Sequence, residues 1–422
     1  MVNKLIETTL SSFDKVSDPR RNNASYAMSD ILSLGFAMFH LKDPSLSAFR
    51  KKFSLRAENL ERVYGVSELP GDTALREAID KVNPEDLKAI YPVLIEQLRR
   101  KGAIDDYKVL DKYNVVSVDG TGHYCSGKQS CPSCMVKNHR NGTKTYYHQL
   151  LSAVLLTPQQ SSVFPVATEA IVKQNGETKN DCEKNAAKRI LPAIKKSLPD
   201  ENILTVCDSL YANQPYIESL QAHDMDYIIG AKGLDYLHIK AEHDKTAQEY
   251  TWQEKGKRCY VRYHQNLPLN LSHEYLKVNY FYYEEYDLKK GKATFKSDWI
   301  TSLTPDKKNI RELIQIARAR WKIENETFNK IKNQGYELEH NYGHGKKHLA
   351  TNLAILMFLA FSVDQVAQYL NVFFQGAKSR LGTFKSLWEH IRGLFHFAEI
   401  HSVEAIYQFI TNYSGEKRLA IE

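Results

Sequence analysis

Between residues 310 and 331 apolar side chains recur in steps of three and four: Ile310, Ile314, Ala317, Trp321, Phe328 and Ile331. This is the stripe of a 3.6-period helix, and one position of it, Glu324, is an acid. An unpaired carboxylate on a buried face is costly, so Glu324 is expected to have a partner. Arg320, one turn earlier on the same side, is one candidate, and a metal ion at the end of the stripe is the other. Glu326 lies about 200° further round the helix and is expected to face solvent beside Lys322 and Lys330.

Elsewhere the pattern changes with position. Residues 1–112 read as helical, with the clearest apolar segment at 28–41. Asn83-Pro84-Glu85-Asp86 has the composition of a helix start: an Asn cap, Pro in the first helical position and acids in the first turn. That helix is expected to kink at Pro92, run toward Arg99-Arg100-Lys101 and stop at Gly102. After Tyr113, β-branched and aromatic runs at 115–119, 146–156 and 163–167 predict three strands; a charged helix at 180–196 and a strand at 203–207 follow, ending on Asp208. Three strands, a helix and a strand is the order of a ribonuclease H-like α/β core. Residues 231–296, rich in Tyr, Thr and Val, read as an all-β insertion. A strand at 299–303 then leads through Thr304-Pro305-Asp306 into the striped helix, and segments 348–369 and 384–397 are helical. The expected plan is a helical N-terminal domain (1–112), a core of 113–230 with 297–345, the β-rich insertion, and a helical C-terminal region (346–422). The N-terminal domain is a candidate for DNA binding, with simple scaffolding as the other reading.

A chain of 422 residues is too long for one small core, so two or three domains are expected. The net charge of +7 is mild for this length, and only the placement of charge can argue for nucleic acid. Lys307, Lys308, Arg311, Arg318, Arg320, Lys322, Lys330, Lys332, Lys346 and Lys347 gather around the striped helix, which a solvated helix face would also explain. The N-terminal MVNKLIETTLSSFDKV has no apolar stretch with a cleavage site, and the most apolar run, 353–363, falls short of the roughly 20 residues that span a bilayer. A cytoplasmic protein is expected, its six cysteines serving as reduced thiols or metal ligands.

Three acids stand out by position: Asp119 at the end of the first strand, Asp208 at the end of the fourth, and Glu324 on the helix after the insertion. Each has a simple explanation. Asp119-Gly120 suits a turn, and Asp208 can cap the segment that follows it. Together they supply hard oxygen ligands from separate elements, as two-metal phosphoryl chemistry requires of a site with ions about 4 Å apart.

VDGT around Asp119, CDSLYAN around Asp208 and RWKIENETFNKIKNQGYELEHNYGHG around Glu324 resemble the catalytic regions of bacterial insertion-sequence DDE transposases. The likeness is to the branch with a β-rich insertion and a Tyr-Arg-Glu-Lys signature on the final helix. It extends over about 113–365. The resemblance implies that Asp119, Asp208 and Glu324 bind two Mg²⁺ (or Mn²⁺) ions and that Arg320 contacts DNA phosphate. It further implies Mg-dependent cleavage at transposon ends, strand transfer of the 3′-hydroxyl into target DNA, and a homodimer on double-stranded DNA in the nucleoid. Two positions depart from the signature: Ala317 stands where it has tyrosine, and Ile331 where it has lysine, leaving Lys330 or Lys332 for that role. A domesticated two-metal nuclease, or a non-catalytic zinc-containing DNA-binding protein, are the rival readings.

A second cluster, HYCSGKQSCPSCMVKNHRNG, lies between the first two strands. Cys131 and Cys134 form a C-x2-C knuckle, and with Cys125 and His139 they are the expected ligands of a structural zinc; His123 is a further neighbour. Reduced thiols in an exposed hairpin are the alternative. Lys128, Lys137, Arg140 and Lys144 nearby can meet phosphates. His148 reads as a hydrogen-bonded strand residue, His340 and His344 as turn residues beside Gly343 and Gly345, and Asp181 as a helix N-terminal acid.

Overall fold

A computed structural model describes residues 1–20, 24–173 and 179–413. Its described strands form one sheet of eleven: β1 (Lys108–Val109), β2 (Tyr113–Ser126), β3 (Met135–Asn138), β4 (Lys144–Leu156), β5 (Phe164–Ile171), β6 (Asn202–Cys207), β7 (Met225–Gly230), β8 (Gln248–Glu254), β9 (Lys257–Pro268), β10 (Lys277–Asp287) and β11 (Lys292–Thr301). The order is β3-β4-β2-β6-β7-β11-β10-β9-β8, with β5 also on β4 and β1 on β2. β4 runs antiparallel to both β2 and β5, whereas β2, β6 and β7 run parallel. Val115, Val116 and Val118, the run 150–156, and Ile203 to Cys207 are buried on successive residues. Strands covered on both faces read as continuous apolar runs of this kind. The helices Glu183–Ser197 and Leu349–Leu370 pack against them.

The parallel register decides the position of two acids. Ser117 is the Cα partner of Val206, so two residues further on Asp119 and Asp208 leave the ladder side by side. β2 does not turn at Asp119-Gly120 as a short strand would; it continues to Ser126, with Asp119 opposite Ser152 of β4. Asp119 is therefore a mid-strand residue just past the parallel ladder.

The insertion is part of the same sheet. Trp299, Ile300 and Thr301 of β11 pair with Gly230, Ile229 and Ile228 of β7, and the strand begins at Lys292 rather than 299. The segment is not all strand, because a helix, Asp235–His243, precedes β8.

The N-terminal and C-terminal helical regions pack on each other. The Met1 amino group bonds Glu404 at 2.8 Å, and the Asn59 side chain donates to the carbonyls of Phe395 and Ala398. Leu349–Leu370, which holds the most apolar run, lies buried against Met28–His40 and Asp72–Lys81. Asn83 caps Pro84–Lys88 as its sequence suggests, its side chain accepting from Glu85 N. The break in that helical stretch falls at Ala89, between Pro84–Lys88 and Ile90–Arg99, where the ring of Pro92 cannot donate to a continuing turn.

Candidate active site and a cysteine–histidine cluster

Asp119 is largely buried within a group of acids, its side chain 17 % exposed. Its Oδ1 accepts from Gly120 N at 2.9 Å. Burial pushes the carboxyl up to about 7; the charges of Glu183 and Asp208 add to this, while Gly120 N–H and Arg320 oppose it. Asp208 caps the short 3-10 turn Ser209–Tyr211, Oδ1 accepting from Leu210 N at 2.9 Å. The capping role anticipated for it thus holds, while its charge acts on Asp119 and Glu183. Gly230 makes room here, since a Cβ on it would come 3.1 Å from Ser209 N.

Glu183, which the sequence reading passed over, is the third acid of the group. It opens the helix Glu183–Ser197, and Tyr211 Oη donates to its Oε1 at 2.6 Å. Burial raises its pKa, with Asp208 adding and Tyr211 opposing. A Cβ on Gly120 would lie 2.5 Å from its Oε2, so a side chain at 120 would push the Glu183 carboxylate from its present place. Its first-turn position is a weak signal in sequence, shared with Asp181 two residues earlier. The structure separates the two: Asp181 bonds Arg189 at 2.7 Å.

Glu324 sits differently from the stripe argument. The stripe holds at Ala317, Phe328 and Ile331, all buried, but Trp321 is 45 % exposed and the Glu324 side chain 51 %. The helix Ile310–Ala319 is interrupted at Arg320, and a π-helical turn, Ile323–Phe328, follows before Asn329–Asn333. The extra residue in each π turn breaks a constant 3.6 count, so Ile323 and Thr327 take the buried face and Glu324 turns outward. It is nonetheless an acid joined to the group. Arg320 Nη1 donates to Glu324 Oε1 at 2.7 Å and lies 3.7 Å from Asp119 Oδ2.

The lysines are also redistributed. Lys322, expected in solvent, is buried and its Nζ donates to the carbonyls of Thr157, Pro158 and Gln160 at 2.7, 2.9 and 2.5 Å. Burial lowers its pKa. Lys330, a candidate DNA contact, has a side chain only 9 % exposed, paired with Glu326 at 2.8 Å and lying over the Phe384 ring. That pairing keeps both Lys330 and Glu326 from the open surface expected of them. Lys332 is part-exposed and paired with Glu339 at 2.7 Å. Of the three expected DNA contacts, Arg320 alone is joined to the acids.

The cysteines come together in a different set. The Sγ atoms of Cys131 and Cys134 and the Nε2 atoms of His148 and His344 all lie within 4.8 Å of one another. Two expected zinc ligands, Cys125 and His139, are outside the group. Cys125 is exposed, its strand neighbour Tyr124 being the one that faces His344. His139 stands in the tip of the β3–β4 hairpin and bonds Thr145, while His148 lies at its base. His344 is 210 residues from Cys134, beyond any search for neighbours along the chain.

Among curated proteins, none matches the chain. The family described as "Transposase DDE domain" matches residues 110–362, a span that carries Asp119, Glu183, Asp208, Arg320, Glu324 and the whole insertion. Since that is well over half of the 422 residues, the chain belongs to the DDE transposase family.

Proposed function

We propose that the protein is an insertion-sequence transposase of the branch with a β-rich insertion, cutting DNA at transposon ends and joining the freed 3′-hydroxyl to target DNA. The observation that carries this is Arg320, which ties Glu324 of the π-helical turn to Asp119 of the sheet within a cluster of acids. The strand order β5-β4-β2-β6-β7, antiparallel then parallel, supports a ribonuclease H-like core for residues 113–230 and 297–345. The 1–112 region and the 346–422 region would serve as flanking helical domains, the former reaching DNA.

The cluster suits a pair of Mg²⁺ or Mn²⁺ ions. Its donors are carboxylate oxygens, the hard ligands these cations take, and four acids, Asp119, Glu183, Asp208 and Glu324, gather around Arg320. Asp119, Asp208 and Glu324 would hold the metals, with Glu183 beside them. When bound, the ions would make a nucleophile of water or a 3′-hydroxyl near neutral pH and stabilise the leaving oxygen. Asp119, which keeps its proton up to about pH 7, would have to release it to serve as a ligand. Glu324, half exposed, would have to turn from Arg320 to join the other acids at a metal, and this would free the guanidinium for a DNA phosphate. Lys332 can add a second contact once Glu339 releases it. Two ends must be held together, so a homodimer on double-stranded DNA in the nucleoid is the working form.

The test is cleavage of the element's own end sequence by purified protein with Mg²⁺. Asp119→Ala, Asp208→Ala and Glu324→Ala should each abolish nicking while leaving DNA binding in place. Activity surviving all three single changes would sink the assignment, and cutting without strand transfer would favour a domesticated nuclease.

A further inference from the structure

We propose that Cys131, Cys134, His148 and His344 form a structural zinc site that clasps the loop following the Glu324 helix to the sheet. A tetrahedral zinc, with Zn–S of about 2.3 Å and Zn–N of about 2.0–2.1 Å, holds two sulfurs about 3.8 Å apart and a sulfur and a nitrogen about 3.5 Å apart. The sulfurs of Cys131 and Cys134 are 3.8 Å apart. The sulfur-to-nitrogen distances are 3.5 Å for Cys131–His148, 3.2 Å for Cys134–His148 and 3.1 Å for Cys134–His344. Two thiols and two imidazoles are the donor set of closed structural zinc sites, and sulfur ligands select zinc over the hard cations suited to the acid cluster.

The surroundings are those of a ligand set. His344 Nδ1 lies 3.0 Å from the Gly345 carbonyl, which fixes the proton on Nδ1 and leaves the Nε2 lone pair directed at the sulfurs. Cys134 and His148 are each 2 % exposed, and Tyr124, Tyr146 and Ala350 enclose the group. The loop that presents His344 is built for the purpose. Asp80 accepts from the backbone N–H of Lys346, Lys347, His348 and Leu349, which pins the segment at the start of Leu349–Leu370. Gly345 has φ +72°, and a Cβ there would meet Asp80 Oδ1 at 2.2 Å.

Binding releases a proton from each thiol, and the two thiolates neutralise the dication. The ion would join β4 and the knuckle before β3 to a loop 210 residues away from Cys134, immediately behind the helix that bears Glu324 and Arg320. It would thereby hold that helix's trailing end at a set distance from the sheet that bears Asp119. The site stands whether or not the protein cleaves DNA.

Full-length protein expressed with added zinc should carry about one zinc per chain by elemental analysis. Exchange for Co²⁺ should give tetrahedral d–d absorption with thiolate charge-transfer bands. Cys134→Ser and His344→Ala should lose the metal, whereas Cys125→Ser and His139→Ala keep it. Should His344→Ala fail to fold, His344→Cys remains informative, since it should retain zinc and strengthen the charge-transfer band of the Co²⁺ form. Metal-free wild type with no Co²⁺ spectrum, a Cys131–Cys134 disulfide in the non-reduced peptide map, or zinc retained by His344→Ala would each overturn the proposal.

Discussion

Asp119 should make this protein less stable, and replacing it should say by how much. Burial and the nearby acids move its carboxyl from 3.8 to about 7. In the unfolded chain Asp119 ionises near 4, so between that pH and 7 the folded state holds a proton that the unfolded state has released. At 1.36 kcal/mol per pH unit, the ionised carboxylate costs the folded state about 4 kcal/mol at pH 8, where both states are charged. At pH 5 the cost is about 2 kcal/mol, and it vanishes below the unfolded value. Asp119→Asn keeps the shape without the charge. With no divalent metal added, the variant should unfold later than wild type, with the larger gain at pH 8 and roughly half of it at pH 5. Denaturant or thermal unfolding followed by circular dichroism at the two pH values measures this. Added Mg²⁺ should stabilise wild type at pH 8 and leave the variant nearly unchanged, because only the former has the charge to relieve. A variant no more stable than wild type at pH 8, or one whose gain is greater at pH 5, would refute the account of an uncompensated acid cluster.

Two further perturbations probe how the acid cluster is held. Lys322→Met removes the donor shared by three carbonyls of residues 157–160, and should cost roughly 2 kcal/mol in unfolding experiments, with faster amide exchange in that loop; unchanged stability would show the ammonium to be dispensable. Gly120→Ala places a methyl 2.5 Å from Glu183 Oε2 and should cost about 1–3 kcal/mol, which Glu183→Ala in the same chain should relieve; a double variant no better than the single would show the strain lies elsewhere.

Local features were legible where one residue type and its neighbours suffice. The Asn83-Pro84 helix start, the buried strand runs and the helix Phe384–Phe397 follow from capping chemistry and apolar runs, and they need no distant partner. Glu324 was chosen on a premise the structure does not keep. The stripe counted every residue as one step of an ideal helix, while the break at Arg320 and the π turn displaced Trp321 and Glu324 outward before the stripe resumes, buried, at Phe328 and Ile331. Its link to the cleft runs through Arg320, the partner suggested one turn away.

Taken alone, then, the sequence determined where most of the long strands and helices lie, because capping, turn and burial preferences act over a few residues. It also carried the motifs by which the chain resembles its transposase family. Tertiary structure decided what lies opposite what. Parallel register set Asp119 beside Asp208, the bare α-carbon of Gly120 admitted Glu183, and a loop pinned by Asp80 brought His344 to Cys134 across 210 residues. Such meetings depend on how the whole chain packs, and no pattern within a short window records them.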